Sequence, residues 1–125
     1  MTEVLVVLIL LQVKHLLVDW CWQPPFELNN KGTYGHWGGI RHALKNAVGT
    51  TACFAVAMPH LPIEAMALVM IVDFAMHYHI DYAKVSINAR MGWRAEHPQF
   101  WWLIGADQFA HQLTYIWLIY TVVTD

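Results

Sequence analysis

The chain has 125 residues, of which 58% are hydrophobic and 13% are charged, and its formal net charge is −2. Soluble domains average roughly 45–50% apolar and 25% charged residues, so this composition favours a membrane protein. The small negative charge and the lack of a basic cluster exclude a typical nucleic-acid-binding protein. The length allows one domain, which we take as the whole chain, residues 1–125.

Four apolar stretches in chain order predict an all-α fold, an integral membrane four-helix bundle. The first ends before Pro24-Pro25, which cannot continue a helix, and the second is closed by Pro59. A polar, glycine-rich loop separates these two, and a second long loop precedes the last stretch. The predicted spans cover residues 3–22, 40–58, 63–85 and 99–123.

Four spans place both chain ends on one side of the membrane, and the basic residues indicate which side. Six of them lie in or beside the first and third loops: Lys31, Arg41, Lys45, Lys84, Arg90 and Arg94. The loop on the opposite side has no lysine or arginine. The positive-inside rule therefore predicts that the two basic loops are cytoplasmic and that the bundle is N-out/C-out.

Three of the spans carry a histidine and an aspartate four residues apart, which places each pair on one helical face. The pairs are His15/Asp19, His77/Asp81 and Asp107/His111. The order of the two residue types reverses in the last span, which runs in the opposite direction. All three histidines are therefore expected to lie deeper than the aspartates, and His42, near the start of the second span, arrives at a similar level.

Imidazole and carboxylate side chains that meet at one depth in a bundle predict a site for a divalent metal ion. Zinc is the first choice because it accepts both ligand types, with iron or manganese as alternatives and one or two ions per chain. The candidate metal ligands are His15, Asp19, His42, His77, Asp81, Asp107 and His111. A bound metal lowers the pKa of water, so Asp19, Asp81 and Asp107 are expected to act as ligands or as the general base.

Polar residues on the cytoplasmic side of this layer are candidates for substrate contacts. They are Gln23, Lys31, Lys84 and Gln108. A lysine can hold an anionic group, and Lys84 can share a face with Asp81 as a further catalytic residue. The alternative for Lys84 is a lysine that extends from the membrane end to the interface. Asp73, one turn deeper than His77, is expected to support that histidine from below.

The order of these residues resembles a family of small uncharacterised multi-spanning membrane proteins of bacteria and tailed phages. The shared pattern reads here as His15/Asp19, Gln23, Lys31, His42, His77/Asp81/Lys84 and Asp107-Gln108/His111. The run Trp20-Cys21-Trp22 and the glycine-rich first loop depart from it. The family is loosely similar to inner-membrane metal-dependent hydrolases, so the resemblance implies a multi-pass protein of the bacterial inner membrane, encoded by a bacterium or a phage.

The leading hypothesis is a metal-dependent hydrolase that acts at the cytoplasmic leaflet on a phosphate ester or a lipid-linked substrate. One alternative is a transporter or channel for protons or divalent cations, lined by the same residues. Another is a phage or host membrane interaction factor, in which the His–Asp pairs only join helices by hydrogen bonds. The expected partners are membrane lipid or a lipid-linked substrate and no nucleic acid, and a homo-oligomer is compatible with a chain of this size.

Overall fold

The computed structural model describes residues 1–124, which are helical with no strand in that range. The helices are α1 (Thr2–Lys14), α2 (Pro25–Leu28), α3 (Trp37–Ala57), α4 (Ile63–Met91) and α5 (Pro98–Thr124). A π-helical segment (His15–Cys21) continues α1 without a break. The all-α prediction is confirmed.

The four long helices pack in the cyclic order α1, α3, α4, α5, and α1 contacts α5 to close the ring. The link between α3 and α4 covers only residues 58–62, so these two consecutive helices pack against each other. Pro62 precedes α4, and Pro98 opens α5 at a position where the missing N–H costs no helical hydrogen bond.

The interior of this bundle has an apolar end and a polar end. The apolar end is built from the start of α1 and α4 and the end of α3 and α5: Val7, Leu11, Phe54, Ala57, Met58, Val69, Tyr115, Leu118 and Ile119. The opposite halves of the same helices bury histidines, carboxylates and lysines. Buried charges are tolerated when they are paired or bind a metal, so each charged side chain at the polar end is expected to have a partner.

Two helix ends differ from the predicted spans. Helix α4 continues past the predicted end at Val85 to Met91, because Gly92, with φ of 65°, provides a left-handed C-cap. The predicted loop of residues 86–98 therefore shrinks to residues 92–97. The first span ends as a π-helix, in which the Trp22 N–H donates to the Leu17 carbonyl at 2.9 Å.

Two helical segments are long and apolar enough to cross a membrane by length and composition, Thr2–Cys21 and Ile63–Met91. Four spans were expected, and within residues 1–124 the other two long helices do not meet the same criterion. The reason lies in their composition. Helix α3 contains Arg41, Lys45 and Asn46, and α5 contains Asp107 beside glutamines and aromatic residues of low hydropathy.

Candidate metal centre

Four predicted ligands meet at the polar end, and we call them the four-residue cluster: Asp19, His42, His77 and Asp81. The π-helical segment supplies Asp19, α3 supplies His42, and α4 supplies His77 and Asp81 one turn apart. None of these residues is more than 4% exposed. One ligand atom from each lies within 4.8 Å of the others.

The two histidines of the four-residue cluster face each other and both aspartates. His42 Nε2 lies 2.9 Å from Asp19 Oδ1, 3.2 Å from Asp81 Oδ2 and 3.2 Å from His77 Nε2. His77 Nε2 lies 3.3 Å from Asp19 Oδ1 and 3.6 Å from Asp81 Oδ2. A ring nitrogen carries at most one proton, so neither histidine can donate to all of these neighbours. Hydrogen bonding alone therefore does not account for the convergence.

The spacing of these atoms fits a tetrahedral ion. A metal bound at about 2.0–2.1 Å holds its four ligand atoms about 3.3 Å apart. The five separations given above run from 2.9 to 3.6 Å and centre on that value. The four-residue cluster thus has ligand types and a spacing that could hold a divalent metal ion.

His42 is oriented from its other side by Glu27, a buried residue of α2. Glu27 Oε2 lies 3.2 Å from His42 Nδ1, which leaves the Nε2 lone pair directed at the four-residue cluster when Nδ1 carries the proton. Arg41 and Lys45 contact the same carboxylate at 2.9 and 2.7 Å. Burial raises the pKa of Glu27, but hydrogen bonds from Lys45, Arg41 and His42 outweigh burial and hold the pKa below its usual range.

Glu27 was not among the residues predicted for the site. In the sequence, Glu27 lies two residues after Pro24-Pro25, where it falls in the first turn of a helix. Carboxylates are favoured at the start of a helix, and prolines are favoured at its first position. This signal indicates a short helix but not that its acidic residue reaches a histidine of α3.

Helix α5 adds a second group on the other side of Asp81, which we call the three-residue cluster: Asp81, Asp107 and His111. His111 Nε2 lies 3.7 Å from Asp81 Oδ1 and 3.5 Å from Asp107 Oδ1. Asp81 therefore belongs to both clusters. Six of the seven predicted ligands fall into these two groups.

Two lysines contact carboxylates of the clusters. Lys31 Nζ lies 3.2 Å from Asp81 Oδ2, and Lys84 Nζ lies 3.3 Å from Asp81 Oδ1 and 2.9 Å from Asp107 Oδ2. Lys84 thus contacts the site. With neutral imidazoles, the carboxylates of Asp19, Asp81 and Asp107 outnumber the two ammonium groups by one, which leaves a negative charge that a cation would balance.

A cavity of about 420 Å³ opens beside both clusters. Asp19 and Asp107 line it, and so do all four residues predicted for substrate contacts: Gln23, Lys31, Lys84 and Gln108. The remaining wall is mostly apolar and includes Trp20, Leu28, Val85, Phe100, Leu103 and Ile104. Such a lining suits a ligand with an anionic group near the lysines and hydrocarbon against the wall.

His15 lies outside both clusters. Its Nε2 is 2.6 Å from Gln108 Oε1 and its Nδ1 is 3.1 Å from the Tyr115 hydroxyl. Asp19 Oδ2 is 3.6 Å from the same Nε2, so the predicted i, i+4 proximity holds. Both ring nitrogens of His15 nevertheless have hydrogen-bond partners, and its position favours holding Gln108 at the cavity over binding a metal.

Asp73 belongs to a deeper polar group and forms no hydrogen bond with His77. It accepts a hydrogen bond from Thr50 Oγ1 at 2.9 Å, and His77 Nδ1 has no hydrogen-bond partner within residues 1–124. The expectation that Asp73 supports His77 is therefore wrong. Next to it, the buried Lys14 Nζ donates to the Tyr115 hydroxyl at 2.8 Å.

Residues 7–125 match the model of a family described as protein of unknown function (DUF3307). The matched range contains every residue of both clusters. No curated protein and no solved structure matches the chain. The description of the family names no activity, no membrane location and no phage origin.

Proposed function

Because the chain belongs to the DUF3307 family, whose function is unknown, we propose a function from the site itself. The protein is a membrane-embedded, metal-dependent hydrolase that acts at the cytoplasmic leaflet on a phosphate ester or lipid-linked substrate. The observation that carries this proposal is the four-residue cluster, which is buried, spaced for a tetrahedral ion and adjacent to a cavity with two lysines.

The proposed chemistry divides between the metal and the side chains. Asp19, His42, His77 and Asp81 would hold the ion, and the bound ion supplies Lewis acidity that lowers the pKa of water toward about 7. The water oxygen bonds to phosphorus, the ester P–O bond breaks, a carboxylate of the site takes the water proton, and the leaving oxygen takes a proton from solvent. Lys31 and Lys84 offset the charge that builds on the phosphate oxygens.

The outer surface supports a membrane location. Large apolar side chains are exposed on all four long helices, among them Leu5, Ile9, Val48, Val56, Leu68, Ile71, Phe109, Leu113 and Ile116. The most apolar windows of the two candidate spans are only 28% and 22% buried, whereas the core helix of a soluble protein is mostly buried. An apolar surface of this extent requires a covering, and lipid provides it.

We extend this proposal to four spans with the N-out/C-out topology. Arg90 and Arg94 lie near the end of α4, on the side of the bundle that holds both clusters. Exposed tryptophans surround the same end: Trp20, Trp22, Trp37, Trp101 and Trp102. Basic residues and an aromatic belt are typical of the cytoplasmic interface, which would open the cavity toward the inner leaflet.

Purified wild-type protein and its His77→Ala and Asp107→Ala variants test the proposal. Metal content is measured by mass spectrometry, and phosphate release is measured with p-nitrophenyl phosphate and with short-chain phosphatidic acid in micelles. We expect at least one ion per wild-type chain and hydrolysis that both variants lose. His79→Ala is the matched control, because His79 is exposed on the same helix as His77 and belongs to neither cluster.

The outcomes separate the hypotheses. Folded wild-type protein that takes up no stoichiometric metal after supplementation contradicts the proposal and favours an interaction factor with a structural polar cluster. Metal binding without hydrolysis of either ester would leave a binding protein or a transporter.

A proton or cation transporter is the second candidate, because a polar group continues below the clusters. Lys14, Thr50 and Asp73 are buried there and hydrogen-bonded. The apolar end of the bundle follows at once, and its fully buried Phe54 and Leu118 leave no polar route across the membrane. Proteoliposomes that pass no zinc or protons under a gradient would exclude transport.

A further inference from the structure

The two carboxylate oxygens of Asp81 face different clusters. Oδ2 lies 3.2 Å from His42 Nε2, a ligand atom of the four-residue cluster, and 3.2 Å from Lys31 Nζ. Oδ1 lies 3.7 Å from His111 Nε2, a ligand atom of the three-residue cluster, and 3.3 Å from Lys84 Nζ. One carboxylate thus presents one oxygen to each of two groups of metal-ligand atoms.

The three-residue cluster contains buried polar atoms that lack a partner. Asp107 and His111 are 4% and 1% exposed, yet Asp107 Oδ1 and His111 Nε2 have no hydrogen-bond partner within residues 1–124. The two atoms lie 3.5 Å apart, which is longer than the usual N–H···O hydrogen bond of about 2.7–3.2 Å. Burial of polar atoms without partners is unfavourable, so we expect a bound group to lie between Asp107 Oδ1 and His111 Nε2.

Lys84 does not donate a hydrogen bond to Asp107 Oδ1. Its ammonium lies against Asp107 Oδ2, at 2.9 Å, and Gln108 Nε2 donates to the same oxygen at 2.8 Å. Asp107 Oδ1 therefore points away from both donors and toward His111. The separations of His111 Nε2 from the two aspartate oxygens, 3.5 and 3.7 Å, are close to the spacing of about 3.3 Å between ligands of one tetrahedral ion.

We propose that Asp81, Asp107 and His111 hold a second divalent cation and that the Asp81 carboxylate bridges it to the ion of the four-residue cluster. The inference rests on the proposed metal-binding function of that first cluster. Paired ions of this kind are a recurrent device for displacement reactions at phosphorus.

The two sites differ in the number of protein ligands. The four-residue cluster supplies four, which fills a tetrahedron, whereas the three-residue cluster supplies three and leaves one position open. An ion with four protein ligands has to expand its coordination to five before it takes up water, whereas an ion with three already has an open position, as catalytic metal sites do. Asp107 and Lys84 both line the cavity, so the open position belongs on the cavity side. The second ion is therefore the one that an anionic substrate group, such as a phosphate, would contact.

Manganese binding to the full-length protein tests this inference. The protein is stripped with a chelator and titrated with Mn²⁺, the bound ions are counted by mass spectrometry, and the bound Mn²⁺ is examined by electron paramagnetic resonance. We expect two ions per wild-type chain and a spectrum with exchange coupling between them. His111→Gln should hold one ion per chain with an uncoupled spectrum. His79→Gln, a variant of an exposed histidine outside both clusters, should keep two coupled ions.

The readouts separate this inference from the hydrolase proposal. One uncoupled ion per wild-type chain at saturation overturns the second site and leaves the first intact. Two coupled ions without ester hydrolysis support the second site and count against the hydrolase. No bound ion overturns both. The number of ions bound to wild-type protein and their spectrum test the second site even if His111→Gln does not fold. Circular dichroism shows whether this variant folds.

Discussion

Glu27 Oε2 lies 3.2 Å from His42 Nδ1, while Asp19 Oδ1 lies 2.9 Å from the other nitrogen of the same ring. One imidazole thus joins a charged carboxylate outside the four-residue cluster to a ligand within it. Such outer carboxylates fix the tautomer and the orientation of a metal-binding histidine, and their loss typically costs about 10–100-fold in metal affinity.

Glu27→Gln should therefore weaken metal binding about 10–100-fold, because the amide removes the negative charge that holds the His42 Nδ1 proton. Competition against a chelator of known affinity measures the change. Glu64→Gln is the control, since Glu64 is exposed in the first turn of α4, at the end of the bundle away from both clusters. Equal affinity in wild type and Glu27→Gln would show that Glu27 does not orient His42.

Metal removal should lower the thermal stability of the wild-type protein. An ion at 100 times its dissociation constant stabilises the folded state by about 2.7 kcal/mol, which corresponds to roughly 5–20 °C in Tm. His77→Ala should abolish the difference between loaded and chelated protein, whereas His97→Ala, in the loop before α5, should keep it. A Tm of wild-type protein that does not respond to metal contradicts this prediction.

The sequence predicted the pairs of α4 and α5 well, for a physical reason. Both members of His77/Asp81, and of Asp107/His111, lie on one regular helix, where four residues return the chain to the same face. The first pair, His15/Asp19, falls in the π-helical segment. His15 Nε2 and Asp19 Oδ2 still lie 3.6 Å apart, but the wider i→i+5 turn gives the two side chains different partners. Asp19 consequently enters the four-residue cluster while His15 turns to Gln108.

The sequence patterns could not predict which helices and loops contact one another. Glu27 reaches His42 only because residues 22–36 fold back over the start of α3, and no helical period encodes the path of such a connection. The division of Asp81 between two clusters likewise depends on how α5 packs against α4. The apolar pattern of the sequence also predicted four membrane spans, whereas two helical segments are long and apolar enough to cross a membrane.

Leu103→Trp should impair hydrolysis without loss of metal. Leu103 lines the cavity but contributes to neither cluster, and an indole there would occupy space that the hydrocarbon of a substrate needs. We expect a rise in KM for phosphatidic acid of about tenfold, as when a bound apolar group is displaced. Leu113→Trp is the control on the same helix, because Leu113 is exposed. An unchanged KM would mean that the substrate does not use this cavity.

Two glycine substitutions test the packing of the short helix against α3. A Cβ on Gly38 would lie 2.6 Å from the backbone oxygen of Phe26, so Gly38→Ala should cost about 1–3 kcal/mol and lower Tm. At Gly105 no described atom lies within 4 Å of such a Cβ, and Gly105→Ala should be neutral or stabilising by about 0.5–1 kcal/mol. Equal effects in thermal unfolding would contradict the close approach at Gly38.

The proposed topology predicts different exposure of two loops. His60 lies in the link between α3 and α4, on the side assigned to the exterior, and Arg94 lies in residues 92–97, on the side assigned to the cytoplasm. Both side chains are exposed. Single-cysteine variants His60→Cys and Arg94→Cys are made after the free Cys21 and Cys53 are replaced by serine.

A membrane-impermeant maleimide should label His60→Cys in intact bacterial cells and should label Arg94→Cys only after the cells are permeabilised. The reason is that basic residues flanking a span resist translocation, so the loop that holds Arg94 stays inside. The reverse pattern would invert the bundle and direct the cavity to the exterior. Equal labelling of both loops in intact cells would mean that α4 does not cross the membrane, and then the hydrolase could not act at the cytoplasmic leaflet as proposed.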